Sequence, residues 1–366
     1  MSSSEQLEKD LVQIQRFRER EAKTNKELVA RDNRQTVWTT ICAGYWPATT
    51  VHHMGKFSEK VAIVTGAGSG LGREYALALA SEGASLLVND LGASVAGETI
   101  DERSADAVVA EIAELGGRAA ANYSNVADWA GAEAIISDAL KHFGRLDLVV
   151  NNAGINRPSS LVDLTERDAD LQLDVHLKGT LAVSHFVAQW WASQPRESGR
   201  AIVNTTSAVG LHPVAGGGVY GAAKAGIIAL TVSHAQELAQ YGVRVNAIAP
   251  CARTRMVQAS PDVLALMPES QGFDRHASEH VAPLVVYLSS AVCDFTGRVF
   301  AIEGPDVAVY HPFGVEHHFS TNGAWTVDGL TATFAAVSRI HEVEAFFPGG
   351  VVKHHTPPRR TQRLFG

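Results

Sequence analysis

The chain of 366 residues, 46% of them hydrophobic, has material for one well-buried core and a surplus, but too little beyond it for a second large domain. A formal net charge of −8, from 39 acidic and 31 basic residues, argues against nucleic acid as a partner, because a phosphate backbone selects clustered Lys and Arg. No apolar run approaches the roughly 20 residues that cross a bilayer, the N-terminus lacks the layout of a secretory signal, and Cys42, Cys251 and Cys293 stand far apart with no CxxC, as suits a reducing cytoplasm.

In residues 1–53, Leu7, Leu11, Ile14 and Phe17 recur at spacings of four and three, which predicts an amphipathic helix. The apolar stretch Val37–Pro47 is too short for a membrane span, is interrupted by Gly44 and Pro47, and is expected to pack on a neighbour. From Val61 the pattern changes. An apolar strand, Val61–Thr65, runs into the turn Gly66-Ala-Gly-Ser69-Gly70-Leu71-Gly72 and then a helix over 73–82. Glycines let the backbone turn sharply and approach a pyrophosphate, which sits against the positive end of the helix. The next strand, Ser85–Asn89, is followed by Asp90, 18 positions beyond Gly72. An acid at that spacing meets the adenosine ribose hydroxyls and repels a 2′-phosphate, so NAD is expected rather than NADP. The plainer reading of Asp90 is a strand-end residue that caps the next loop.

Further strand-like runs follow at Arg118–Tyr123, Leu146–Asn151, Ala201–Thr205, Val243–Ala249 and Val299–Glu303, alternating with helical segments. Such alternation predicts an α/β fold, a doubly wound parallel sheet of Rossmann type with helices on both faces. Ligands of such sheets bind at the carboxyl ends of the strands. The glycine turn, Asp90, Asn151–Gly154, Ser207 and Pro250 all fall at such ends and so converge on one rim.

Ser207, at the end of a buried strand, precedes Tyr220 by 13 positions, and Lys224 follows Tyr220 by four. On a helix, residues four apart share a face. An ammonium beside a phenol favours the phenolate, so Lys224 is expected to lower the Tyr220 pKa towards a useful general acid/base. The Ser207 hydroxyl would hold the substrate oxygen. The chemistry suggested is the interconversion of an alcohol and a ketone.

Thr65–Gly72, Asn151-Asn152-Ala153-Gly154, Ser207, Tyr220/Lys224 and Asn246–Pro250 together identify the chain, over roughly 54–310, as resembling the short-chain dehydrogenase/reductase family. Gly116–Tyr123, Asp174–Gly179, Ala249–Met256 and Val281–Val286 resemble more narrowly the (3R)-hydroxyacyl-CoA dehydrogenase units of type 2 multifunctional enzymes, also called 17β-hydroxysteroid dehydrogenase type 4. The resemblance implies that Asn152, Ala153 and Gly154 steady the sheet beside the adenine, that Asn125 and Val126 lie at the ring, and that Pro250 and the segment after it, with Thr254, bracket the nicotinamide. It also implies that Lys224 binds ribose and that the protein is a homodimer or homotetramer. His176 stands where most of the family has an Asn; it reads either as a proton relay or as a satisfied core histidine. Cys251 replaces a usual Gly, which puts the geometry of the loop after Pro250 in question.

Substrate identity is expected in the apolar flap Arg255–Ala277, with Met256, Val257, Val263, Leu264, Leu266, Met267 and Phe273, and His212, Pro213 and Val214 on the other wall. Arg157, Lys178, Arg253 and Arg255 are candidate partners for CoA phosphates. The tail histidines lack Cys partners and a repeated spacing, so no metal is expected; a helix is expected over 325–340 and a frayed end after Pro357. Three parts are expected: a dispensable extension 1–53 ahead of an alternative start at Met54, a catalytic domain 54–304, and an extension 305–366. The ending Arg363–Gly366 shows no peroxisomal address, which leaves a cytoplasmic location as the expectation. The function expected is NAD-dependent oxidation of a 3-hydroxyacyl-CoA in lipid or steroid side-chain breakdown. The alternatives are a dehydrogenase of a free alcohol such as a hydroxysteroid or terpene alcohol, and a silent NAD-binding scaffold.

Overall fold

Short aliphatic runs, rich in Val and Ile in the inner strands, form a central sheet, because both sides of those strands have a helix layer to bury against. The structure is a computed structural model and describes residues 55–98, 104–269, 272–310, 342–347 and 350–355. All of these belong to one compact unit, Met54–Gly366. The expectations for residues 1–53, for a helix over 325–340 and for the end after Pro357 lie outside the described residues.

Seven strands, β1 (Val61–Thr65), β2 (Ser85–Asn89), β3 (Arg118–Asn122), β4 (Leu148–Asn151), β5 (Arg200–Thr205), β6 (Val243–Pro250) and β7 (Val299–Glu303), pair in parallel in the order β3-β2-β1-β4-β5-β6-β7. The seven expected strands are all present, with ends within two residues of those read from the sequence. An eighth, β8 (Asp306–Tyr310), was not anticipated. It returns antiparallel onto β7 through Gly304, at φ +53°, and Pro305, so the sheet continues beyond residue 304. A separate hairpin, β9 (Glu342–Phe347) and β10 (Gly350–His355), was also unforeseen.

The helices are α1 (Gly70–Ser81), α2 (Ser104–Glu114), α3 (Trp129–Phe143), α4 (Glu166–Leu173), α5 (Gly179–Ala192), α6 (Ala208–Leu211), α7 (Gly218–Leu238), α8 (Arg255–Gln258), α9 (Pro261–Ala265) and α10 (Ala282–Ser289). Between α4 and α5 the chain continues as a π-helical turn, Asp174–Lys178. The period-2 geometry of β1 sends Ala62 and Val64 to a core with Tyr75, Leu79, Ile112, Leu284 and Leu288, and Val61 and Ile63 to a second core with Ile135, Val183, Val187 and Trp191. The indole of Trp191 donates to Leu146 O at 2.8 Å, which satisfies its polar end in the core.

The strand order turns back between β1 and β4, the first leading out to β2 and β3 and the second to β5, β6 and β7. Their loops therefore part at the carboxyl rim and leave a crevice there. Below that rim, Asn151 Nδ2 donates to Asn204 Oδ1 at 2.9 Å and to Ser184 Oγ at 3.1 Å, and Asn204 Nδ2 donates to Thr231 Oγ1 at 2.9 Å. This buried chain of polar groups ties β4, β5, α5 and α7 together in register. Ile63 is fully buried at the centre of β1. Ile63→Ala is expected to cost about 2–5 kcal/mol of unfolding free energy, read as a lowered denaturant midpoint with an unchanged slope.

Candidate active site

The Gly66–Gly72 turn is set by approaches that no side chain survives. A Cβ on Gly72 would lie 2.1 Å from Gly66 O, and one on Gly66, already at φ +63°, would lie 2.8 Å from Ala153 Cα. Gly70, at φ +53°, faces open space instead. Asn152 closes the turn from β4: its Nδ2 donates to Thr65 O (3.0 Å) and Gly66 O (3.1 Å), while Thr65 Oγ1 accepts from the amides of Asn152 and Ala153. Ser69 is the N-cap of α1 but makes no side-chain capping bond, and no acid stands in the first turn. The leading amides of α1 are thus left for an anion.

Asp90, past the end of β2, accepts from Gly68 N at Oδ2 and from Gly92 N at Oδ1, both at 2.8 Å. The loop-capping reading of Asp90 is therefore correct, and it does not exclude the other: a carboxylate has about four acceptor positions, and two remain. Asn125 Oδ1 accepts from Ala127 N at 3.0 Å, which holds the turn that presents Val126.

At the other half of the rim, Ser207 caps α6, accepting from Val209 N at 3.2 Å. Tyr220 and Lys224 stand on α7, with the ammonium 5.7 Å from the centre of the phenol ring. Lys224 is almost fully buried, and its Nζ donates to Thr205 O at 2.8 Å. Desolvation brings its pKa from 10.5 down to about 7. Burial pushes the Tyr220 phenol up, with a hydrogen bond to Ser207 pulling the other way. The expected lowering of Tyr220 by Lys224 is not what the structure gives: burial, which disfavours the phenolate, dominates, and the hydrogen bond that opposes it comes from Ser207.

His176 is fully buried on the π-helical turn, its ring edge-on to Tyr220 at 5.2 Å between centroids. Nε2 lies 2.7 Å from Ile155 O, so Nε2 carries the proton and Nδ1 is the acceptor. That Nδ1 has no partner among the described residues. Burial first, and Lys224 second, hold the imidazole well below its usual pKa, hence neutral. Gly154 makes room for it: a Cβ there would sit 2.6 Å from His176 Cε1. The satisfied-core reading accounts for one ring nitrogen and leaves the other open.

A single cavity of about 620 Å³ takes in all these groups. Its lining includes Gly66, Ser69, Gly70, Leu71, Gly72, Asp90, Asn125, Val126, Asn152, Ala153, Gly154, His176, Ser207, Tyr220, Lys224, Pro250 and Thr254, all of the catalytic and dinucleotide-binding candidates read from the sequence. From the flap it adds Met256, Val257, Val263, Leu266 and Met267, but Leu264 and Phe273 are not in the wall. Phe273 stacks on His280 at 4.5 Å instead. Of the opposite wall only Val214 contributes; His212 lies against Tyr310 of β8. Ala93, Ser94, Val95 and Gly97, a wall after β2, were missed. The run Gly92-Ala-Ser-Val-Ala-Gly97 of small residues was the available signal.

The four cationic candidates separate. Arg157 pairs with Asp168 and donates to Ala96 O, Lys178 pairs with Asp174, and Arg253 is bound to Asp274. Only Arg255 reaches the cavity. Cys251, which put the geometry of the loop after Pro250 in question, continues the pairing of β6 with β7 through its amide to Ile302 O at 2.8 Å. Its buried thiol is pushed up to about 12 and is unreactive at neutral pH.

A doubly wound sheet with a glycine turn and a buried Tyr/Lys pair at the same rim defines a nucleotide-binding oxidoreductase. The short chain dehydrogenase family model matches residues 60–262, and the chain belongs to the short-chain dehydrogenase/reductase family, whose members use a nicotinamide cofactor. It is 39% identical to hydroxyacyl-CoA dehydrogenase ChsB1 of Mycobacterium tuberculosis over 75% of this chain and 87% of that one. To the peroxisomal hydratase-dehydrogenase-epimerase of Saccharomyces cerevisiae it is 40% identical over 67% of its length, spanning 26% of that longer protein. A short chain dehydrogenase from Burkholderia cenocepacia, solved in complex with NADP, is 31% identical with a TM-score of 0.60, covering 68% of this chain and 98% of that one. Among the described residues no helix is long and apolar enough to cross a membrane.

The folded Lys224 pKa of about 7 lies below its ordinary value of 10.5. Between those values the unfolded chain binds the extra proton, so this group makes stability rise with pH from about 7 to 10 and opposes folding fully below 7. Lys224→Met is expected to flatten that rise, as measured by denaturant midpoints across the window.

Proposed function

We propose that the chain oxidises the hydroxyl of a 3-hydroxyacyl-CoA to a ketone with NAD. The observation that carries the reading is the one cavity in which Ser207, Tyr220 and Lys224 meet both the glycine turn and an apolar flap. The names of the Mycobacterium and Saccharomyces relatives support a hydroxyacyl thioester as the substrate.

The rim fits a dinucleotide: uncapped α1 amides for a diphosphate, Asp90 for ribose hydroxyls, Val126 against an apolar ring face, and Lys224 near the second ribose. When bound, the nicotinamide accepts hydride from the carbinol carbon. Ser207 Oγ holds the substrate oxygen through a hydrogen bond. Tyr220 Oη takes the hydroxyl proton, and its raised pKa means that it needs a cation beside it to do so. Lys224 supplies that cation when protonated, a state close to half populated near pH 7. His176, neutral and with Nε2–H committed to Ile155 O, keeps Nδ1 open as a hydrogen-bond acceptor and its ring edge-on to Tyr220. Closure of the flap excludes water from the reacting atoms.

NAD is favoured over NADP by the Asp90 carboxylate, which opposes a 2′-phosphate. The NADP-bound Burkholderia structure favours the opposite choice. Asp90→Ser is expected to raise the NADP over NAD preference in kcat/KM by about tenfold or more, the scale of removing one unfavourable close charge; an unaltered ratio would count against Asp90 as the discriminator.

Purified protein given NAD is expected to produce reduced cofactor from 3-hydroxyacyl-CoA thioesters and not from the matching free alcohols, with Tyr220→Phe slower by about 10²–10⁴-fold. Turnover of free alcohols alone would remove CoA from the account. Dinucleotide binding without turnover of any substrate would favour a silent scaffold.

A further inference from the structure

Beyond Asp90 the chain folds into a compact turn over residues 94–98. Ser94 N donates to Glu98 O at 2.7 Å, Gly97 N to Ser94 O at 2.9 Å, and Ser94 Oγ accepts from Glu98 N at 3.1 Å. Two further bonds fasten the turn to the segment after β4: Asn156 N donates to Val95 O at 2.9 Å, and Arg157 Nη1 to Ala96 O at 2.7 Å. Arg157 is itself fixed, because its Nε donates to Asp168 Oδ1, while Asp168 Oδ2 accepts from Thr165, the N-cap of α4. One guanidinium thus joins a backbone carbonyl after β2 to a carboxylate on α4, a use of its rigid fork that a single ammonium reproduces only in part.

The turn is a wall of the cavity. Val95 and Gly97 line it beside Ile155, Leu171 and Val175, and a Cβ on Gly97 would lie 3.2 Å from Ile155 and from Leu171. Ile155 O is bound to His176, whose ring meets Tyr220 edge-on, so this wall extends to the reacting phenol. It has no charge to offer a phosphate: Arg157 is neutralised by Asp168, and Ser94 Oγ serves the turn. The groups that fit the dinucleotide, the α1 amides, Asp90, Val126 and Lys224, are not part of it. What it fits is an uncharged hydrocarbon body next to the carbinol carbon. The flap contributes Met256 and Met267, whose unbranched side chains reshape to a ligand. A turn pinned by five hydrogen bonds does not reshape, and size is told apart against a fixed surface.

We propose that the turn over 94–98 is the wall that selects the acyl body of the substrate by its breadth, and that Arg157 is the positioning residue that holds this wall in place. The proposal rests on the alcohol-oxidising site assigned above. It concerns the part of the substrate beyond the carbinol carbon and so does not depend on the thioester.

The test measures kcat and KM with NAD for 3-hydroxyacyl-CoA thioesters bearing short straight and broad ring-bearing chains, on full-length wild type, Val95→Phe, Arg157→Met and Arg157→Lys, beside equilibrium binding of NADH. Val95→Phe narrows the cavity at the wall and is expected to raise KM for the ring-bearing chain about tenfold or more beyond its effect on the short one, the scale on which an apolar pocket separates such bodies. Arg157→Met is expected to shrink the wild-type ratio of kcat/KM between the two chains by about threefold or more, through KM rather than kcat, and Arg157→Lys to restore part of it. NADH affinity is expected to stay within about twofold in every variant, the spread of an untouched site. Equal effects on both chains overturn the proposal, as does a loss confined to NADH affinity, which would give the turn to the dinucleotide. Val95→Phe leaves the Arg157 contacts in place, so its chain-dependent KM decides the matter even where Arg157→Met does not fold. A wild type active on free alcohols alone overturns the thioester reading and not the wall, which the same comparison between short and ring-bearing alcohols then supports or overturns.

Discussion

The hydrogen bonds between the carboxyl ends of β1 and β4 hold the crevice in which everything else takes place. Four hydrogen bonds cross that junction, two of them between Thr65 and Asn152, with the side-chain amide of Asn152 spanning Thr65 O and Gly66 O and Thr65 Oγ1 also accepting from Ala153 N. The strand order parts at this point, so the two loops would otherwise be free to separate. Clamped, they set Gly66 against Ala153 too tightly for a Cβ and aim the first turn of α1 along the rim. The interior Asn151–Asn204–Thr231 chain continues the same constraint into β5 and α7, whose other end carries Tyr220. One continuous set of polar contacts thus positions the glycine turn and the phenol relative to each other.

What the sequence disclosed is what depends on short separations. A turn made by Gly66, Gly70 and Gly72, or a face shared by Tyr220 and Lys224, is encoded within a few residues and needs no knowledge of the tertiary fold. The true partner of Lys224 is Thr205 O, on a strand 19 positions earlier, and no local spacing shows it. The electrostatics misled for the same reason. A Tyr and a Lys four apart suggest a lowered phenol, but the direction is set by how much of the surrounding core excludes water, and burial lowers the lysine instead. Arg157 and Arg253 failed as ligands because Asp168 and Asp274 reach them, and composition cannot say which acid meets which base.

Other omissions have a different origin. The return strand β8 and the hairpin β9–β10 come after the β-α alternation has ended, where that pattern offers no guide. Val307 and Val309 alternate with smaller and polar neighbours over five residues, too short a signal without the partner β7 to read it against. The small-residue wall after Asp90 carries no hydrophobic period at all. It acquires meaning only because Asn156 N bonds Val95 O and Gly97 packs against Ile155 and Leu171, contacts made by distant parts of the chain.

The π-helical turn Asp174–Lys178 bears on how this chain is to be compared with others. Each α-helical residue advances the side chain by about 100°, and a wider turn inserts one residue more than the α-helix on either side would use. The segments before and after it are therefore out of angular phase: α4 buries Gln172, α5 buries Val183, Val187 and Trp191, and the surplus residue lets His176 point inward between them. A related chain one residue shorter here would keep both helices and the core beneath α5 while swinging its counterpart of His176 away from the phenol. The length of this segment, together with His176 itself, thus sets whether an imidazole can sit edge-on to the tyrosine.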